Sequence, residues 1–278
     1  MESIEIVVAA EDVELAGGLM WAWGVEGIEE RVESDDPAAP TVRLIAGVPA
    51  EFADDVAAAL VDRWPVARGQ MQPELWADSW RPYAKAVRIR DQLVVQPPWI
   101  DPIARPGDVV ISLDPGRAWG HGAHPSTVLV AEELVEIGSL ARLSLLDVGC
   151  GSGLLAIVAA VQGAARVVAV DIDPGAVEAT LSNAAVNGVD HLIEVSTNPV
   201  ATIGGTFNLV VANIGLGVLR ELAGTLVRLV ADGGALVLSG LLDDQVDDAV
   251  AAYPTMIEVR RRDLDGWGVV VLAHSANL

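Results

Sequence analysis

The chain has 278 residues, of which 52% are hydrophobic, enough to form the core of one large domain and a small one. Its 39 acidic and 17 basic side chains give a net charge of −22, which disfavours non-specific nucleic-acid binding and suits a basic protein partner. One cysteine excludes an intrachain disulfide, and the four histidines have no metal-ligand spacing with it. There is no signal-peptide pattern and no apolar run of the roughly 20 residues that span a bilayer. We therefore expect a cytoplasmic protein that binds neither metal, membrane nor nucleic acid. A monomer is also expected, although none of these properties determines the oligomeric state.

The first part of the chain, residues 1–73, predicts a small α+β domain. Strand patterns at 4–8, 27–32 and 42–45 and an extended piece up to residue 71 alternate with helical patterns at 12–23 and 52–64. The order β-α-β-β-α-β is the ferredoxin-like arrangement. A linker helix is expected over residues 74–84, where Trp76 and Trp80 lie one turn apart on one face.

The remainder, residues 85–278, predicts a doubly wound, Rossmann-like α/β sheet. Strand patterns at 87–90, 93–96 and 109–113 come first, and a helix ends near residue 137. Strands starting near residues 143, 167, 192, 207 and 235 then alternate with helices starting near 154, 174, 216 and 243, and the chain closes with a hairpin of 256–262 and 267–273. Such alternation indicates a parallel sheet covered by helices, with ligands at the carboxyl ends of its strands.

A glycine-rich turn follows the strand that starts near residue 143. Its pattern is D-x-G-x-G-x-G, formed by Asp147, Gly149, Gly151 and Gly153. A dinucleotide-binding turn would instead place its third glycine at position 154, which is leucine. The observed spacing is typical of class I S-adenosylmethionine-dependent methyltransferases, in which Asp147 can face the cationic end of the cofactor. The alternative is a glycine turn of an unrelated α/β fold.

Two acidic residues follow the next strand. Asp171 comes about twenty residues after the glycine turn, where a carboxylate can accept hydrogen bonds from both ribose hydroxyls of an adenosine. Asp173 precedes Pro174 and a helical pattern, so we assign it to the helix N-cap. Cys150 lies between two glycines and is interpreted as a packed turn residue, not a nucleophile.

Asn213 ends the strand that starts near residue 207, at the edge where methyl transfer occurs in class I methyltransferases. Its carbonyl can accept a hydrogen bond from a nucleophilic amine. The sequence after it, Asn213-Ile214-Gly215-Leu216, lacks the proline pair and the aromatic residue of nucleobase methyltransferases. This argues for a different amine as acceptor. The alternative is that Asn213 only caps a helix.

These motifs together resemble the ribosomal protein L11 methyltransferase family (PrmA type). The matching segments are 76–80, 93–99, 114–127, 146–153, 170–174, 211–214 and 238–240. The resemblance implies a ferredoxin-like substrate-recognition domain, a linker helix and a class I methyltransferase domain. It also implies S-adenosylmethionine as methyl donor, and lysine side-chain or N-terminal amines of a large-subunit ribosomal protein as acceptors.

The resemblance also supplies site residues in the segment 119–127. Trp119 stands where the family usually has phenylalanine against the cofactor, and its aromatic face can attract a cationic sulfonium or ammonium group. Thr127 matches the family, and His124 is expected to shape the loop. His121, Ala123 and Ser126 depart from its pattern. The alternative for Trp119 is core packing.

The candidate catalytic residues are thus Asn213, Trp119 and Thr127. The candidate cofactor-binding residues are Asp147, Gly149, Gly151, Gly153, Asp171, Thr127 and Asn213. The leading hypothesis is in-line methyl transfer to a neutral amine of a ribosomal protein. The alternatives are a methyltransferase of the same family with another protein or a small molecule as acceptor, and a non-catalytic S-adenosylmethionine-binding module.

Overall fold

The computed structural model describes residues 2–22, 25, 27–34, 40–50, 52–70, 85–101, 103–114 and 122–274. The chain divides into two compact units, Met1–Tyr83 and Ala84–Leu278. The predicted linker helix over 74–84 falls outside the described residues. The segment 115–121, which contains Trp119 and His121, also falls outside them.

The smaller unit is an antiparallel sheet with two helices. Its elements are β1 (Glu2–Ala9), α1 (Val13–Ala22), β2 (Gly27–Ser34), β3 (Thr41–Val48), α2 (Ala53–Val61) and β4 (Ala67–Gln70), and the strand order is β2-β3-β1-β4. Alternation along β1 places Ile4, Ile6 and Val8 on one face. These side chains are buried in one cluster with Val56 and Leu60 of α2. The element order and the sheet confirm the predicted ferredoxin-like α+β fold.

The larger unit contains a small sheet and a large one. The small sheet is formed by β5 (Val87–Ile89), β6 (Leu93–Gln96) and β7 (Val109–Ser112) in that order. The large sheet contains β8 (Ser144–Val148), β9 (Arg166–Val170), β10 (Ile193–Ser196), β11 (Phe207–Asn213), β12 (Val230–Leu242), β13 (Met256–Leu264) and β14 (Trp267–His274), in the order β10-β9-β8-β11-β12-β14-β13. Its first five strands are parallel, and β14 is antiparallel to both of its neighbours.

Helices cover both faces of this large sheet. They are α3 (Pro125–Ile137), α4 (Leu154–Val161), α5 (Pro174–Val186), α6 (Leu216–Glu221), α7 (Ala223–Leu229) and α8 (Val246–Ala251). Alternating strand residues supply two separate cores. Val167 and Val211 pack with α3 and α4 on one face, and Val168 and Val210 pack with α6, α7 and α8 on the other. This arrangement confirms the doubly wound, Rossmann-like prediction, and parallel strands buried on both faces explain their continuous apolar runs.

Two elements differ from the sequence-based expectation. The helix expected to start near residue 216 is divided into α6 and α7 at Leu222, which ends one helix and begins the next. The strand expected near residue 235 already starts at Val230, and its pairing with β11 is irregular between Phe207 and Leu209. No helix among the described residues is both long and apolar enough to cross a bilayer.

Candidate active site

The glycine turn, Gly149–Gly153, lies between the end of β8 and the start of α4, at the carboxyl edge of the sheet. The φ values are 75° at Gly149, 53° at Gly151 and 82° at Gly153, and residues other than glycine rarely adopt such values. A Cβ atom at Gly149 would lie 2.4 Å from Cγ2 of Ile214, and one at Gly153 would lie 2.7 Å from the side chain of Thr180. The backbone conformation therefore requires glycine at all three positions, and close packing also requires it at Gly149 and Gly153.

Asp147 lies beneath this turn, in the centre of the sheet, with 1% of its surface exposed. Its Oδ2 accepts a hydrogen bond from the backbone N–H of Ala156 (3.1 Å), near the N-terminus of α4, where a negative charge is favoured. Its Oδ1 is buried and has no hydrogen-bond partner among the described residues. Burial raises the pKa of Asp147 to about 7, and the negative charge of Asp171 acts in the same direction.

Asp171 and Asp173 are held by short local hydrogen bonds after β9. Asp171 accepts from the backbone N–H of Gly151 (2.9 Å) through Oδ2 and from that of Asp173 (3.0 Å) through Oδ1. Asp171 thus connects the end of β9 to the glycine turn. Asp173 caps α5 by accepting from the N–H of Gly175 (2.8 Å), with Pro174 at the first helical position, as predicted.

Asn213 lies at the end of β11, beside the glycine turn. Its Nδ2 donates a hydrogen bond to Oγ1 of Thr127 (3.1 Å), which is buried in the first turn of α3. Its Oδ1 is buried and has no hydrogen-bond partner among the described residues. The helix-cap alternative for Asn213 is wrong, because α6 begins after Gly215, and Gly215 occupies the N-cap position.

His124 is the N-cap of the helix that carries Thr127. Its Nδ1 lies 3.3 Å from the backbone N of Ser126 and 2.8 Å from Oγ of Ser126, and its ring packs edge-on against Trp267 (4.4 Å between centroids). The imidazole therefore shapes the chain at the start of α3, as expected. The hydroxyl of Ser239 in β12 lies 3.3 Å from the carbonyl oxygen of Ser126 and donates to the closer carbonyl of Gly268 (2.8 Å).

These elements line a shallow depression at the carboxyl edge of the sheet, the site depression. Its lining residues come from α3, the glycine turn, α4 and the end of β11: Thr127, Gly149, Cys150, Gly151, Ser152, Leu154, Leu155 and Asn213. The structure thus brings together Thr127, Asn213 and the glycine turn. Asp147 and Asp171 do not line the depression but lie next to the turn, and Trp119 falls outside the described residues.

Two further features were not predicted from the sequence. Ile172, between the two aspartates, is 95% exposed at the carboxyl end of β9, although it is aliphatic. Asn183 on α5 is buried and donates one hydrogen bond to the glycine turn. The only sequence signal for Ile172 was an apolar residue between two acids. Asn183 gave no signal, because an asparagine in a helical pattern is usually interpreted as solvent-facing.

Cys150 is a packed residue of the turn, as predicted. Its Sγ lies 3.5 Å from Oγ1 of Thr180, and burial raises the pKa of the thiol well above its usual range. A thiol that keeps its proton is a poor nucleophile.

The chain is similar to known proteins along most of its length. A family model described as ribosomal protein L11 methyltransferase (PrmA) matches residues 50–274. A ribosomal protein L11 methyltransferase of Sorangium cellulosum is 36% identical over 266 residues, covering 91% of this chain and 83% of that protein. One of Geobacter sp. is 44% identical over 188 residues, covering 66% of this chain and 61% of the relative, so that this match leaves over a third of the relative outside it.

A solved structure agrees with this assignment. The crystal structure of ribosomal protein L11 methylase from Lactobacillus delbrueckii subsp. bulgaricus is 29% identical, with a TM-score of 0.61, and the match covers 68% of this chain and 98% of that one. The family model and the long Sorangium alignment include the glycine turn, Asp171 and Asn213, whose geometry is described above. The chain therefore belongs to the ribosomal protein L11 methyltransferase (PrmA) family.

Proposed function

We propose that this protein is an S-adenosylmethionine-dependent methyltransferase that transfers methyl groups to lysine or N-terminal amines of ribosomal protein L11. Its relatives and the solved structure carry that substrate in their names. We further propose that the domain over residues 1–73 recognises the substrate, that residues 74–84 form the linker helix, and that residues 85–278 catalyse transfer. The protein would act as a monomer in the cytoplasm, without direct contact with nucleic acid.

One observation carries the proposal: the orientation of the Asn213 side chain in the site depression. Because Nδ2 donates to Thr127, the carboxamide is fixed with Oδ1 as its remaining acceptor, and this oxygen has no partner among the described residues. Leaving a buried acceptor unpaired costs about 1–3 kcal/mol, so such an atom points to a bound donor. In our proposal, this hydrogen-bond donor is an N–H group of the amine that receives the methyl group.

The cofactor fits the residues around the glycine turn. Asp147 lies in the strand that leads into the turn. Its unpaired Oδ1 would attract the cationic amino-acid end of the cofactor. Each oxygen of Asp171 accepts one backbone hydrogen bond, and a carboxylate oxygen has a second acceptor position left for a ribose hydroxyl. The exposed aliphatic side chain of Ile172 suits a flat apolar surface such as adenine.

When bound, S-adenosylmethionine supplies a methyl group on a positively charged sulfur, which is open to direct displacement by a nucleophile. The residues of the chain then have three tasks. Asn213 orients the lone pair of the amine by accepting one of its N–H groups, and Thr127 fixes Asn213. The apolar walls of the depression, Leu154 and Leu155, favour the uncharged form of a lysine amine over the ammonium ion. Trp119 would add an aromatic face next to the cationic group.

The test is incubation of the purified protein with labelled S-adenosylmethionine and isolated ribosomal protein L11, followed by intact mass spectrometry. We expect L11 to gain mass in steps of one methyl group. Asn213→Ala should reduce the rate at least about a hundredfold and weaken the binding of S-adenosylhomocysteine far less, since positioning acts on the transfer step. Thr127→Val should reduce it less, by about tenfold, and Thr127→Ser should restore it.

The outcomes separate the hypotheses. If the cofactor binds and L11 gains no mass, L11 is not the acceptor, and a labelled screen of whole-cell protein and of small amines identifies another one. If the cofactor binds and nothing at all is methylated, the chain is a binding module. Absence of cofactor binding would contradict the proposal altogether.

A further inference from the structure

Two asparagines, one on α5 and one directly after it, form backbone-like pairs of hydrogen bonds with the end of β7 and the chain that follows it. Asn183 accepts from the N–H of Asp114 and donates to its carbonyl, both at 2.9 Å. Asn187, which immediately follows α5, accepts from the N–H of Ser112 (2.9 Å) and donates to its carbonyl (2.7 Å). Each carboxamide therefore repeats the paired hydrogen bonds of a neighbouring strand.

The spacing of the two pairs agrees with the geometry of both elements. Four residues along a helix advance about 6 Å, and two residues along a strand advance about 6.6 Å. Residues 183 and 187 can therefore match residues 112 and 114 without distortion of either element. In this way α5 serves as the neighbour of β7 in place of another strand.

Only one of the two asparagines also reaches the glycine turn. The second N–H of the Asn183 carboxamide donates to the carbonyl of Ser152 (2.9 Å), whereas that of Asn187 donates to the carbonyl of Asn183 within the helix end (2.7 Å). Asn183 is 3% exposed. One turn earlier on α5, Thr180 donates to the carbonyl of Gly151 (3.0 Å). Two side chains of α5 therefore donate hydrogen bonds to the carbonyls of two successive residues of the turn.

We propose that Asn183 is a positioning residue for cofactor binding: it fixes the Ser152 peptide of the glycine turn relative to the chain that leaves β7. This inference rests on the proposed function. A carboxamide is needed at residue 183, because this buried side chain donates two hydrogen bonds and accepts a third at the same time. Asn187 has the same chemistry and a matching pair of strand contacts, but none to the turn, and it is therefore the matched control.

The experiment compares Asn183→Ala with Asn187→Ala in the full-length protein. Calorimetry gives the Kd for S-adenosylhomocysteine, and thermal unfolding gives the Tm. Both variants lose a strand pair, and Asn183→Ala should lower the Tm more, because Asn183 is buried and Asn187 is half-buried. The Kd should rise about tenfold for Asn183→Ala and by less than about twofold for Asn187→Ala, because a freed buried carbonyl in the turn can reorient. In the methylation assay, the KM for S-adenosylmethionine should rise in the first variant only, with the KM for the protein acceptor unchanged.

A second pair of variants covers the case in which the alanine variants do not fold. Asn183→Ser and Asn187→Ser bury no charge, and the shorter hydroxyl gives up the contacts of the carboxamide while leaving room for a water molecule. The same contrast in Kd is expected. Equal Kd values within either pair would overturn the inference and leave Asn183 a purely structural residue. If the wild-type protein itself binds no S-adenosylhomocysteine, the proposed function fails, and this result is distinct from the failure of the inference.

Discussion

At the scale of single residues, Asp147 combines burial with an unpaired carboxylate oxygen. Its pKa rises from 3.8 to about 7 mainly because burial disfavours the charged form. The folded protein thus keeps this proton at pH values where the unfolded chain has lost it. Between these two pKa values, the contribution of Asp147 to the free energy of unfolding falls as pH rises, and above pH 7 it is fully destabilising. A positive ligand group nearby favours the charged form and offsets this cost.

We therefore expect a proton to be released when the cofactor product binds near neutral pH. The Kd for S-adenosylhomocysteine should rise toward about tenfold per pH unit below pH 7, since Asp147 must lose its proton first. Asp147→Asn should bind more weakly at pH 8, show a flatter pH dependence and unfold at a higher temperature at pH 8. Calorimetry in two buffers with different ionisation enthalpies counts the released protons. The same proton release in the variant would show that another group is responsible.

At the scale of elements, α3 is fastened to the C-terminal strand β13 by a network of ion pairs. Glu133 is 1% exposed, and its Oε1 lies 3.1 Å from Nη1 of Arg262. Its Oε2 lies 3.2 Å from Nε of Arg260, close enough for an ion pair although not aligned as a hydrogen bond. Glu136, at the more exposed end of the same helix, pairs with Arg90 and Arg260. Because α3 also carries Thr127, this network supports the helix behind the site depression.

We expect Glu133→Ala to lower the free energy of unfolding by about 2 kcal/mol, because it leaves two arginines without their buried partner. Both arginines are partly exposed and can turn toward water, which keeps the loss moderate. The matched control is Glu136→Ala, for which a loss below about 1 kcal/mol is expected at an exposed position. Urea denaturation at neutral pH measures both. Equal losses in the two variants would show that burial of Glu133 adds nothing.

The elements also show which parts of the fold could be predicted from the sequence. Asp173 and Pro174 define the start of α5 chemically, and the apolar runs of β8 and β9 define strands that are buried on both faces. The break between α6 and α7 could not be predicted, because it lies at Leu222, and leucine is not a residue that interrupts helices as glycine and proline do. Both short helices pack on the same sheet face, with Leu219 of α6 and Leu226 of α7 in one core.

The candidate site shows the same distinction. The glycine turn, Asp171 and Asn213 could be predicted because each follows a recognisable strand, and the carboxyl ends of parallel strands meet at one edge. Thr127 was identified as a site residue only through the family resemblance, and its hydrogen bond to Asn213, 86 residues further along the chain, was not predicted. The roles of Asn183 and Asn187 could not be predicted. Their partners are backbone groups of residues 112 and 114, and a backbone group has no residue-specific signal in the sequence.

At the scale of the whole molecule, the excess of acidic side chains is the dominant property. A net charge of −22 produces a negative potential that extends about 8–10 Å from the surface at physiological salt. Such a field accelerates the approach of a basic protein and contributes little to a small ligand held by local hydrogen bonds. A basic acceptor and the cofactor should therefore respond differently to ionic strength.

We expect the KM for ribosomal protein L11 to rise about fivefold or more when NaCl increases from about 50 to about 300 mM, because screening shortens the range of the attraction. Over the same range, the KM for S-adenosylmethionine should change by less than about twofold, since its proposed contacts are local hydrogen bonds around the glycine turn. Initial rates at several salt concentrations measure both values. A short lysine-containing peptide of zero net charge serves as the control acceptor, and its KM should stay nearly constant. A parallel rise for L11 and the neutral peptide would show that salt acts on the enzyme itself, and the acidic surface would then have no part in recognising the acceptor.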